Sequence, residues 1–287
     1  MEIAEIKQNE NWTEVIEPRT HFLDLHLKDV WRYRDLLMLF VRRDFVATYK
    51  QTILGPVWFF LQPVLTTLTF TLVFGKIAGI STDGLPMVLF YLAGITLWNY
   101  FSECLNRTAT VLKDNAPIFG KVYFPRLVMP LSIIVSNLVK LAIQFALFLC
   151  FWGYFLGTSS VVHPNVLMLL FPLLVIIMGG LGLGFGLVIT AMTTKYRDLI
   201  FLLTFGVQLL MYATPVIYPL STIGEKYKIF ILANPMTSII ETFRYSFLGT
   251  GTFSWMMLGY SFLFMLVVMF FGVIIFNRVE RSFMDTV

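Results

Sequence analysis

An all-α integral membrane protein is the fold class this sequence predicts. The expected architecture is six transmembrane helices, an N-terminal amphipathic interface helix and short re-entrant extracytoplasmic helices before the last span. Three observations predict it. Hydrophobic residues make up 57% of the 287 residues and charged residues only 13%, against about 25% charge in soluble domains; mean hydropathy is +0.78. Uncharged runs of ~20 residues recur, long enough for a ~30 Å hydrocarbon layer. The stretch from Arg32 to Pro63 runs a charged amphipathic segment straight into an apolar one.

Residues 1–28 are polar and mixed in charge, without a secretory signal pattern, and read as a cytoplasmic tail. Residues 29–54 carry Arg32, Arg34, Asp35, Arg42, Arg43, Asp44 and Lys50. That many charges exclude a spanning helix, so this segment is expected to lie on the membrane surface as a charged lever. A six-span domain over residues 55–277 follows, with spans near 55–74, 86–104, 127–155, 165–192, 199–219 and 255–276. The third and fourth are longer than needed, which predicts tilt or an interfacial end. Residues 278–287 form the C-terminal tail.

Basic residues set the orientation. Of twenty-one Lys and Arg, sixteen fall in residues 1–54, 106–126, 193–198 and 278–287. Four fall on the other side, at Lys76, Lys226, Lys228 and Arg244, and Lys140 lies within a span. The asymmetry places both termini in the cytoplasm. The sequence pI near 9.0 reflects these flanking charges, which meet anionic headgroups, rather than nucleic-acid binding.

Residues 220–254 are too short and too charged to span. They hold an apolar run at 229–233, then Pro235, then Ile239 and Ile240 beside Glu241 and Arg244. Two short helices dipping in from the outer face, a gate-like hairpin over 217–250, are expected. An ordinary outer loop with an interfacial helix is the alternative.

The chemistry is defined partly by what the chain lacks. No GxxxxGK[ST] occurs, so this chain has no P-loop. His21, His26 and His163 lie outside the apolar cores, and Cys104 and Cys150 match no metal or redox spacing. No catalytic residue or metal site is nominated. The run MGGLGLGFG, 178–186, sits inside a span, so its glycines are not a nucleotide loop. Gly180/Gly184 and Gly182/Gly186 form two overlapping GxxxG faces for close helix packing.

Three partly polar, aromatic faces are candidates for one pathway. They carry Trp58, Gln62 and Thr66 in the first span, Tyr91, Trp98, Asn99 and Ser102 in the second, and Gln208 and Tyr212 in the fifth. Such faces suit a sugar chain better than a metal cation, which requires carboxylates. Interhelical hydrogen bonding would also explain them. Lys140 either snorkels or pairs, and no intramembrane carboxylate is evident as its partner in a proton relay. The connections at 193–199 (TTKYRDL) and 106–126 can dock a cytosolic partner or serve as positive-inside anchors.

The segment RDLLMLFVRRDFVATYKQTILGPVWFFLQP resembles the start of the permeases of ABC-type polysaccharide exporters, the family of O-antigen, capsule and teichoic acid exporters. Asp44, Tyr49, Lys50, Gly55, Trp58 and Pro63 stand where that pattern expects them. KYRDL at 195–199, TPVIYP at 214–219 and ANPMTSIIETFR at 233–244 also look like family features. The resemblance implies a homodimer in the bacterial inner membrane with two cytosolic nucleotide-binding ATPase subunits beneath it. Those subunits, not this chain, would bind ATP and Mg. It implies coupling through the lever helix (Arg34, Asp35, Arg42, Arg43, Asp44) and through Lys195, Tyr196, Arg197 and Asp198. It also implies an outer gate carrying Tyr218, Pro219, Pro235, Glu241 and Arg244, and a lipid-linked polysaccharide, O-antigen first, as substrate. Two rivals come from other classes. A self-contained carrier or channel would work without a partner, although no internal repeat is evident. A membrane enzyme would need Glu103 or Glu241 facing a cavity.

Overall fold

The computed structural model describes residues 27–50, 52–119, 124–196 and 198–283. Residues 1–26 and 284–287 of the expected tails, and the coupling candidate Arg197, lie outside the described residues. The described chain is helical, without a strand.

The expected lever is two helices, α1 (Leu27–Arg32) and α2 (Arg34–Tyr49). Tyr33 interrupts them with ψ 21°, and Lys50 ends α2 in an extended conformation at ψ 133°. The lever therefore stops short of residue 54. Asp35 sits in the first turn of α2, where it complements the positive end of the helix dipole. Phe40, Val41 and Asp44 turn inward, while Met38, Leu39 and Arg42 stay exposed.

A short 3-10 turn, Gly55–Val57, opens the first apolar helix. Gly55 has φ +51°, a conformation that side chains disfavour. Helix α3 (Trp58–Phe70) contains Pro63 and runs on as a π-helical segment, Thr71–Ile77. Helix α4 (Met87–Ala109) is the buried axis of the molecule and packs against α3, α7 and α8. Short helices α5 (Val111–Asp114) and α6 (Ala116–Phe119) lead to α7 (Val128–Thr158), whose 31 residues give a rod of roughly 45 Å. Helix α8 (Phe171–Lys195) follows a 3-10 turn, Val166–Leu170, capped by Asn165, which accepts from Leu167 N. Then come α9 (Leu199–Tyr212), α10 (Glu225–Leu232), α11 (Pro235–Leu248) and α12 (Trp255–Phe283).

Among the described residues four segments are long and apolar enough to cross a membrane: Gly55–Ile77, Val128–Thr158, Val166–Lys195 and Trp255–Val279. These correspond to expected spans one, three, four and six. The other two fall short of that standard for identifiable reasons. Asn99, Ser102, Glu103, Asn106 and Arg107 interrupt the apolar run of α4. Helix α9 stops at 14 residues, because Pro215 lacks an N–H to continue it and disfavours helix at Thr214.

Two hydrophobic cores form at opposite ends. The larger joins α4, α8 and α11 through Phe90, Leu97, Leu174, Leu181 and Phe243. The smaller gathers Phe40, Phe119, Phe124, Val128, Leu187 and Phe276, which seats α2 on the start of α7. The two glycine faces of α8 meet two different helices. A Cβ on Gly180 would lie 2.6 Å from Met265 Sδ and one on Gly184 2.9 Å from Met269 N, both on α12. A Cβ on Gly182 would lie 2.7 Å from Cys104 Cβ and one on Gly186 2.5 Å from Thr108 Cβ, both on α4. The expected GxxxG packing is therefore present, with α8 wedged between two partners.

Candidate functional site

Three charged assemblies sit along the bundle. At the end carrying α2, Asp44 is only 8% exposed. Arg43 donates to its Oδ1 from Nε at 3.0 Å and Nη2 at 2.8 Å. Arg107, from the end of α4, donates to Oδ2 at 3.3 Å. Arg43 Nη2 also donates to Asn115 Oδ1 at 3.2 Å and its guanidinium lies over the Phe40 ring. Asp44 therefore ties α2 to α4, beside a cavity of about 120 Å³ lined also by Asp114 and Ser132. Both arginines are about one-third exposed.

The other coupling candidates at this end are surface groups. Arg34 and Asp35 approach to only 3.9 Å and are largely exposed, so their pairing adds little. Lys195 ends α8 with its ammonium 5.2 Å from the Tyr196 ring centroid. Tyr196 is exposed, and Asp198 O accepts from Phe201 N at the start of α9. This connection shares an end with Asp44 because Thr190 and Thr193 on α8 donate to Thr108 O and Ala109 O on α4.

At the opposite end, roughly 30 Å along α7, α10 and α11 form a hairpin. Asn234 caps α11 by accepting from Met236 N and donates to Thr214 Oγ1 at 2.8 Å. Arg244 is 1% exposed. Its Nη1 donates to Pro215 O, its Nη2 to Val216 O at 2.7 Å, and its guanidinium lies 3.7 Å from the Phe90 ring centroid. Glu241 Oε1 is 3.7 Å from Arg244, and its Oε2 accepts from Thr252 N at 3.0 Å and Thr252 Oγ1 at 3.3 Å. One helix turn thus pins the chain after α9 and the chain before α12. Tyr218 donates to Tyr212 O at 2.8 Å. Pro219 and Pro235 are buried.

The third assembly lies between α4 and α7. Lys140 Nζ donates to Glu103 Oε2 at 3.0 Å. The carboxylate that the sequence left unassigned to Lys140 is therefore Glu103, 37 residues away. Asn99 Nδ2 reaches Gln144 Oε1 at 3.5 Å beside it.

The pathway candidates divide. Trp58, Gln62, Gln208 and Tyr212 are exposed on α3 and α9, and Thr66 is half-buried, donating to Gln62 O. Tyr91 and Trp98 are buried, against Phe70 and Phe101. Asn99 and Ser102 are partly exposed. Sequence reasoning did not nominate Arg107, Lys140 or Gln144. The first two were visible as charges, but their partners lie on other helices.

Among the described residues, a helical bundle with four segments long and apolar enough to cross a membrane, a charged amphipathic pair at one end and a buried ionic hairpin at the other defines a multi-pass membrane protein. Residues 35–248 match the ABC-2 type transporter family, and the chain belongs to it. It is 30% identical over 220 residues to an O-antigen export system permease protein of Myxococcus xanthus, covering 76% of this chain and 82% of that one. An O-antigen export system permease protein of Klebsiella pneumoniae is 27% identical over 256 residues, 88% of this chain and 94% of that one. A polysialic acid transport protein of Escherichia coli is 25% identical over 251 residues, 85% of this chain and 93% of that one.

Proposed function

We propose that this chain is the channel-forming membrane subunit of an ATP-driven exporter that moves lipid-linked polysaccharide, O-antigen first, across the bacterial inner membrane. It works as a homodimer with six spans per subunit, both termini cytoplasmic. A separate cytosolic ATPase pair binds ATP and Mg. The observation that carries the substrate is the 30% identity to an O-antigen export permease over 82% of its length. Helix α4 is read as the second span despite its polar residues, because protein covers most of it, and α9 with the 213–219 turn as the fifth.

The site geometry supports the division of labour. Asp44 links α2 to α4, so a push on α2 reaches the central helix directly. Arg244 links the outer hairpin to the end of α9. Two mechanical elements at the two ends of one bundle suit a gated conduit driven from one side. A capsule-type polymer is the second reading, favoured by the polysialic acid relative.

The test is inactivation of the chain in its host. Loss of surface polysaccharide, with polymer retained on the inner membrane and export restored by the intact chain, is the expected result. Unchanged surface polysaccharide would refute the export reading, and loss of capsule with O-antigen intact would select the second polymer.

A further inference from the structure

From position 99 onward, every residue of α4 that is not buried is polar: Asn99, Ser102, Glu103, Asn106 and Arg107, with Thr110 just beyond. The preceding residues, 89–98, are all buried and mostly apolar. A lipid-facing helix has the reverse pattern, because unsolvated polar groups are unfavourable in hydrocarbon. Helix α7 answers this stripe with Ser132, Ser136, Lys140 and Gln144 at four-residue spacing, and Asn137 beside them. The facing stripes, 132–144 of α7 and 99–110 of α4, run roughly 16 Å along the helices, with a cavity at each end; we call this seam the α4/α7 groove.

We propose that this α4/α7 groove is a hydrated wall of the translocation path, fitted to a neutral, hydroxyl-rich chain passing along it. The inference rests on the export reading above and adds the surface that the polymer meets. One end of the groove opens at Arg107 into the cavity of about 120 Å³ beside Asp44. The other end holds a cavity of about 20 Å³ lined by Asn99, Tyr100, Glu103, Asn137, Lys140 and Gln144, room for one water. Asn137 is 1% exposed, yet its Oδ1 has no hydrogen-bond partner among the described residues. The same holds for Ser136 Oγ and Asn106 Oδ1. Buried acceptors without protein partners are normally met by water.

The chemistry selects the occupant. Glu103 and Lys140 pair with each other at 3.0 Å, and Arg107, at the mouth, pairs with Asp44 at 3.3 Å. Each charge of the groove therefore already has a protein partner, and none is left over to hold an ion. It offers amide and carboxylate oxygens and N–H donors, which exchange hydrogen bonds with sugar hydroxyls and with water alike. Many weak, repeated contacts let a chain bind and leave, as conduction requires. An acyl tail gains nothing from Glu103, whose side chain is 49% exposed.

Cysteine accessibility in inverted native membrane vesicles, using the full-length chain with its native partners, tests this. The background is Cys150→Ser, and buried Cys104 is retained. Glu103→Cys and Gln144→Cys are compared with Leu138→Cys and Leu149→Cys, partly exposed apolar positions on α7. The probes are a charged, membrane-impermeant thiosulfonate and a lipid-soluble maleimide. The proposal predicts that the charged probe labels positions 103 and 144 roughly tenfold faster than 138 and 149, since a solvated thiol ionises more readily. Vesicles from cells making the polymer label more slowly at 103 than vesicles from cells that do not. Labelling at 103 and 144 by the maleimide alone would show a lipid-facing groove and overturn the proposal. So would oxidative cross-linking of two Glu103→Cys copies without charged-probe labelling, which would assign the groove to a second copy. The surface-polysaccharide assay is independent of labelling, so an exporter with a dry groove is distinguishable from a chain that exports nothing.

Discussion

Asp44 and Arg244 anchor ion pairs at opposite ends of the same bundle, and their surroundings differ. Arg244 is 1% exposed and Glu241 3%, both terminal nitrogens reach backbone carbonyls, and Phe90 closes over the guanidinium. Asp44 is also buried, but its partners Arg43 and Arg107 are about one-third exposed and border a cavity of about 120 Å³. A pair buried on both sides, with fixed partners and only a cavity of about 30 Å³ beside Glu241, makes a rigid strut. A wet pair whose arginines keep access to solvent can rearrange at little energetic cost. The difference teaches that the hairpin end is fastened to its neighbours by buried partners while the α2 end is held by partners that water reaches.

The largest expected effect falls on the strut. Arg244→Met removes the bonds to Pro215 O and Val216 O and leaves Glu241 buried without its charge partner. It should destabilise the protein by about 3–5 kcal/mol, read as a lowered thermal midpoint of the purified full-length chain. Arg244→Met with Glu241→Gln should recover part of that loss; no recovery would mean that the carbonyl bonds alone matter.

Next comes the glycine wedge. Gly184→Ala places a Cβ 2.9 Å from Met269 N, and overpacking of this kind costs about 1–3 kcal/mol. Gly206→Ala, with nothing within 4 Å, should leave the same midpoint unchanged.

At the lever end the balance of stability and function should invert. Asp44→Asn weakens three charge-assisted hydrogen bonds from two partly exposed arginines, so about 1–3 kcal/mol of stability is expected to go, while export falls far more. Charge reversal at exposed Arg42 should separate ATP hydrolysis from export without lowering the amount of protein in the membrane. Normal export in Arg42→Glu would make that charge an anchor only. The smallest effect belongs to Trp152→Phe, which loses the single bond from Nε1 to Phe247 O at 2.8 Å and about 0.5–1.5 kcal/mol.

Legibility in the sequence followed the range of the interaction. The glycine faces could be read because four-residue spacing on one helix is local, and each face found a partner helix. The long apolar helices could be read for the same reason. Helix α4 was harder. Protein covers most of it, so its polar half needs no apolar run, and it falls short of the hydropathy of the four segments that are long and apolar enough to cross. The break at Tyr33 leaves no breaker residue to detect. Arg244 was nominated as a gate residue, but its partners are the carbonyls of Pro215 and Val216, and carbonyls carry no sequence signal. Lys140 and Glu103 were each visible as isolated charges; only the packing of α4 on α7 makes them a pair.

The central claim is that this chain is a transport subunit whose energy comes from another polypeptide. Its most direct test is to purify the tagged full-length chain gently from its native membrane, identify what comes with it, and measure ATP hydrolysis for the complex and for the chain alone. The account predicts a stoichiometric partner carrying GxxxxGK[ST], ATP hydrolysis by the complex and none by the chain alone. A chain that purifies by itself from membranes whose other assemblies stay intact, or that hydrolyses ATP unaided, would contradict it.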